Sequence, residues 1–153
     1  MPLEDSPYAS AEPQRELLRI AAPMHVAAWL TERGWAVSWP LEPQRYDLLA
    51  AGPSGVRRIQ VKSTTQVDRS KAGWQVGIAR QEYTRTPGGS FDANGARRLT
   101  PYLGTDVDDL FVLAADGSLY AIPVERLESA AAISVGTKGG RYERFRVAPP
   151  AAA

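Results

Sequence analysis

The 153-residue chain has no cysteine and a single histidine, His25. Disulfides, thiolate zinc sites and a cysteine nucleophile are thereby excluded, and so is any cage of several histidines. No apolar run approaches the roughly eighteen residues that a membrane-spanning helix needs. The opening MPLEDSPYAS is acidic and lacks the apolar centre of a secretory leader, so a cytoplasmic location is expected. A hydrolase on this chain is left with carboxylates, amides and lysines. It calls for a hard, oxygen-seeking cation such as Mg²⁺.

What is present is ordinary in bulk and uneven in charge. Apolar residues make up 44% of the chain, enough for one domain with its own core. Net charge is only +1, yet residues 51–100 hold nine Lys/Arg against three Asp/Glu, while each flanking block is acidic. A local excess of +6 suits a phosphate-backbone partner, although on charge alone a solvated basic face is the favoured reading.

Read for periodicity, the chain opens with a loose segment at 1–13 and a helix from Gln14 that Pro23 interrupts. A second helical stretch, PMHVAAWLTER, restarts with proline in its first turn and stops at Gly34. Strands are expected near 35–39, 45–50, 57–64 and 74–79, all in one sheet, with GPSG turning the second into the third. Residues 84–100 read as a long surface loop, and DLFVLAADGSLYAIP as a hairpin on an Asp116-Gly117 turn. A short helix at PVERLESA, a last strand at YERFRV and a flexible tail at 148–153 close the chain. The fold class is α/β: a mixed sheet with helices packed on it, in one domain over 14–147.

In RRIQVKST, Ile59, Val61 and Ser63 share one side, while Arg58, Gln60, Lys62 and Thr64 share the other. Pairing through the GPSG turn brings Asp47 near Gln60 and Lys62. Singly, each has a plain structural explanation: a strand-edge acid, an amide capping a backbone group, a snorkelling lysine. Together they suit phosphodiester hydrolysis. Asp47, Gln60 and the Val61 carbonyl can hold a cation that activates water, and Lys62 can orient that water and screen the phosphate.

The order LTERGWAVSWP, YDLLAA, RRIQVKST and DDLFVLAADGSLYAIPVERL resembles the PD-(D/E)XK nuclease superfamily, in particular the branch of group I intron homing endonucleases and archaeal-type Holliday-junction resolvases. The resemblance spans residues 23–128. It implies a restriction-endonuclease-like fold and a Mg²⁺- or Mn²⁺-dependent endodeoxyribonuclease with Asp47, Gln60 and Lys62 at its site. Gln in place of the second acid is a variation known in that branch. Members commonly carry a glutamate on the first helix. Met24 or His25 falls there in this chain, and Glu16 is the nearest acid on the N-terminal side.

DNA is the expected partner, with Arg57, Arg58, Arg69, Lys71, Arg97 and Arg98 as candidate phosphate contacts. One site per chain makes a homodimer the economical way to cut two strands. A sequence-specific duplex and a branched junction both remain open as substrates. The competing reading is a nuclease-fold module that binds nucleic acid or a protein partner without cutting.

Overall fold

The computed structural model describes residues 8, 14–70, 72–78, 80–82, 98–100, 106–128 and 131–152, the backbone alone at 80–82 and 98–100. A six-stranded sheet organises the fold, built from β1 (Ala36–Ser38), β2 (Leu48–Gly52), β3 (Gly55–Thr64), β8 (Asp109–Ala114), β9 (Leu119–Pro123) and β11 (Arg146–Ala148), in the order β1-β2-β3-β8-β9-β11. All neighbours are antiparallel except β3 and β8, which run parallel from Ile59↔Asp109 to Thr64↔Ala114. The sheet is therefore mixed, as the sequence suggests.

Each face of this sheet has its own cover. Helix α1 (Leu18–Glu32) lies on one, packing Ala22, Val26 and Leu30 against Leu48, Ala50, Ile59, Val61, Phe111 and Leu113. On the other lies a three-stranded sheet of β10 (Ala132–Val135), β5 (Gly73–Gly77) and β4 (Val67–Asp68). Val76, Ile133 and Val135 from it meet Leu110, Val112, Tyr120 and Ile122. Strand β8 is thus buried on both sides, which explains its unbroken apolar run.

Several sequence expectations need correction. The fourth strand does not join the large sheet, because the free edge of β3 is taken by β8 and β5 pairs instead with β4 and β10. Nor does Pro23 break the helix. It sits inside α1, where its ring nitrogen removes one bond to the carbonyl of Arg19, an exposed residue whose carbonyl water can satisfy. PVERLESA forms only a 3-10 turn at Val124–Arg126, and a similar turn at Glu143–Phe145 precedes β11. Of the expected loop, residues 98–100 form β7 (Arg98–Thr100), paired with β6 (Arg80–Glu82); the stretch 83–97 lies outside the described residues. The tail is anchored at Ala151, whose N–H donates to the Asp116 carbonyl at 2.7 Å.

Local turns follow their chemistry. Gly55, with φ +107°, closes the β2–β3 hairpin, and Gly117, with φ +89°, closes β8–β9. Gly52 answers to packing: a Cβ there would meet the Trp35 ring at 2.5 Å. Trp29 packs edge-on against Phe111, while Trp39 is 53% exposed.

Candidate active site

The site arises because β2 stops before β3 does. Their ladder runs from Gly52↔Gly55 to Leu48↔Ile59, and Asp47 adds one more bond, its N–H donating to the Ile59 carbonyl at 2.8 Å. Beyond that point β3 continues to Thr64 with no strand on its β2 side among the described residues. The backbone groups of Arg58 and Thr64 turn toward β8, so those of Val61 turn toward the missing strand. The Asp47 carboxylate fills this gap, with Oδ2 accepting from the Val61 N–H at 2.8 Å.

The same oxygen accepts from Gln60 Nε2 at 2.8 Å, and that nitrogen also lies 3.5 Å from the Val61 carbonyl oxygen. The Asp47 carboxylate thus reaches Gln60, and Lys62 follows two residues later on the same face. Burial pushes the Asp47 carboxyl above its ordinary range; the Val61 N–H bond and the Lys62 charge work against that shift. Asp47, Gln60, Val61 and Lys62 are thus brought together, as the alternation of β3 predicts.

The donor set fits a hard cation. A carboxylate oxygen and a backbone carbonyl converge on the position of the Gln60 amide nitrogen. Turning that amide about its last bond exchanges nitrogen for oxygen and makes three oxygen ligands of three kinds. Only one carboxylate takes part, and no group of three acidic or histidine side chains suited to a metal occurs among the described residues.

The helix acid is the part that does not assemble. Glu16 is exposed in a 3-10 turn before α1 and lies outside the hydrogen-bonded cluster around Asp47. Met24 and His25 are exposed on α1, which covers the opposite face of the sheet.

The basic residues divide into three groups. Arg57 shares the α1 face with Ile59 and makes a bidentate pair with Asp109, both bonds 2.7 Å. Arg58 shares the face of Gln60 but is held by Asp108, which accepts from its Nε at 3.1 Å, its Nη2 at 3.0 Å and its backbone N–H at 2.8 Å. That guanidinium holds the Asp108 carboxyl below its ordinary range. Arg69 is exposed between β4 and β5. Lys71 and Arg97 lie outside the described residues, and Arg98 is described only as backbone in β7. Sequence reading missed the partners of Arg57 and Arg58, although two adjacent arginines facing two adjacent aspartates were a visible signal.

A cavity of about 750 Å³ lies on the small sheet, lined by Asp68, Gln75, Ser134, Glu128 and Arg141. It includes none of the Asp47 cluster.

The profile of the PD-(D/E)XK endonuclease family matches residues 21–141, so the chain belongs to that family and is a nuclease by descent. Nucleases of this family generally use divalent metal ions. The solved structure of a bacterial homing endonuclease, I-Ssp6803I, superposes with a TM-score of 0.67 over 88% of this chain and 89% of that one, at 20% identity. At that identity the likeness concerns fold. No curated protein matches the chain.

Proposed function

We propose that this chain is a Mg²⁺-dependent DNA endonuclease (Mn²⁺ serving as well) whose site is Asp47, Gln60, Val61 and Lys62. The observation that carries the reading is the convergence of the Asp47 carboxylate, the Val61 carbonyl and the Gln60 amide beside Lys62, at the point where β3 outruns β2. Asp47, Gln60 and the Val61 carbonyl would hold the cation. When bound, it lowers the pKa of water and neutralises charge developing on the phosphate. Asp47 is fixed from two sides, by its own N–H on Ile59 and by Val61 on its Oδ2, so its carboxylate would be held in place before a cation arrives. Lys62, near enough for its charge to act on Asp47, would orient the attacking water and screen the scissile phosphate. Water attack breaks the bond from phosphorus to O3′, leaving a 5′-phosphate and a 3′-hydroxyl.

Phosphate contacts outside the site fall to Arg69, Lys71, Arg97 and Arg98, because Arg57 and Arg58 are engaged by carboxylates. With one such site among the described residues of each chain, cutting two strands would take two copies, and a homodimer is the expected assembly.

Plasmid nicking with Mg²⁺ titration tests the reading. Asp47→Ala and Lys62→Ala are each expected to lower the rate at least about 100-fold while leaving DNA binding within a few-fold. Wild-type rates in both variants would place the chemistry elsewhere. A wild-type chain that binds DNA without metal-dependent cutting favours the binding-module reading, which the single carboxylate at the site supports.

A further inference from the structure

The small sheet stands beside the Asp47 cluster, on the same side of the large sheet. Gln60 and Lys62 are register neighbours of Leu110 and Val112, whose side chains meet the small sheet. The step between the two sheets is tied at the end of β3. There Thr64 Oγ1 donates to the Gln75 carbonyl at 2.5 Å, and the chain runs on from Thr64 into β4. Val76 packs inward, so Gln75 turns outward, with Ser134 as its register partner on β10. Gln66, one residue before β4, turns the same way, its Nε2 donating to Gln75 Oε1 at 2.8 Å. Gln66, Gln75 and Ser134 thus form a polar row across the small sheet, starting near the end of β3.

We propose that this row reads base edges in the major groove of duplex DNA, with Gln75 selecting adenine. A glutamine amide matches adenine through two bonds at once, its oxygen accepting from N6 and its nitrogen donating to N7. Gln75 Oε1 has two lone pairs, so the bond from Gln66 takes one and leaves the other for the base. The same bond fixes the plane of the Gln75 amide, which makes Gln66 a positioning residue. Charge around the row suits a base edge better than a phosphate. The hollow beside Gln75 is lined by the carboxylates of Asp68 and Glu128, and the one guanidinium among its described lining residues, Arg141, is paired with Glu128. Arg69, by contrast, is exposed in the turn between β4 and β5, placed for the phosphates that flank a groove.

This deepens the nuclease reading, and the place of the row relative to the cut rests on that reading. Thr64 lies two residues past Lys62, about 7 Å along the strand, and stacked sheets stand about 10 Å apart. The Gln75 amide is therefore roughly 12 Å from a phosphate held at Lys62, or about three to four base steps of ~3.4 Å. A major groove about 12 Å wide and about 8.5 Å deep admits a two-stranded ribbon. Strands β4 and β5, antiparallel and joined by the turn that carries Arg69, are such a ribbon. The substrate is then a duplex chosen by sequence, not a junction recognised by its shape.

Selecting duplexes from a randomised pool by binding alone, without divalent metal, tests the row independently of any cutting. Wild type is expected to enrich adenine at one position about tenfold over the other bases. Gln75→Ala is expected to lose that preference and Gln66→Ala to lower it, both with an unchanged salt slope, because no phosphate contact is removed. Gln75→Glu is expected to exchange adenine for cytosine, whose N4 donates to a carboxylate. Both glutamines are exposed, so each variant is expected to melt with wild type. A wild type that enriches no base, or a folded Gln75→Ala that keeps the adenine preference, overturns the proposal. The nuclease reading fails separately. A chain that selects adenine through Gln75 yet never cuts loses that reading and keeps this one, while a chain that binds and cuts all sequences alike does the reverse.

Discussion

Asp47 and Asp108 sit in the same part of the fold with opposite electrostatics. Burial raises the Asp47 carboxyl, so in the folded chain it holds its proton to higher pH than in the unfolded one. Stability is therefore lost as pH rises from the unfolded value through the folded one, and the charged carboxylate is a liability kept for a cation. Asp47→Asn is expected to melt above wild type at pH 7 and level with it below about pH 3, where the carboxyl is neutral in both states. Thermal melts at the two pH values check this, and equal melting at pH 7 would argue against a strained carboxylate. Asp108 is lowered chiefly by its bond from Arg58, so its contribution is present above the unfolded value and lost as pH falls through the folded one. Asp108→Asn should cost about 1–3 kcal/mol at neutral pH, read by denaturant unfolding, with a cost that shrinks in acid.

At the scale of elements, α1 carries a proline where a helix gains nothing from it. If Pro23 began a second helix, replacing it would be neutral or harmful. Inside a continuous helix, Pro23→Ala restores a bond to the Arg19 carbonyl and should raise stability by about 1–3 kcal/mol, measured by urea unfolding. What could be read from the chain follows the range of the interactions involved. Asp47, Gln60 and Lys62 were legible because a hairpin with Gly52 and Gly55 at its turn fixes their register within a few residues. The place of β5 was not, since it depends on β8 claiming β3 from far along the chain. The same distance hid the neutralisation of Arg57 and Arg58, whose acids lie about fifty residues away.

For the whole molecule, the basic block of residues 51–100 is less basic than its count, because two of its nine cations are matched by Asp108 and Asp109. Arg69→Ala should lower the salt slope of DNA binding by about 0.9, the share of one phosphate contact. Arg57→Met should leave that slope alone and lower the melting temperature, since Arg57 pairs with Asp109 on the α1 face. Fluorescence anisotropy over a salt series distinguishes the two, and a slope change in Arg57→Met alone would reverse the assignment.

The parallel pairing of β3 with β8 also sets a timetable. Thr64 ends β3, and Asp109 begins its neighbour 45 residues later. A ribosome adding about 5–20 residues per second needs roughly 2–9 s to cover that stretch. During this interval the nascent hairpin of β2 and β3 exposes a bare strand edge, the kind that recruits other chains. Arg57, Arg58 and Lys62 stand on that strand and charge it while it waits. Two of them later pair with Asp109 and Asp108, so the ion pairs that lock the finished sheet begin as guards of the unfinished one.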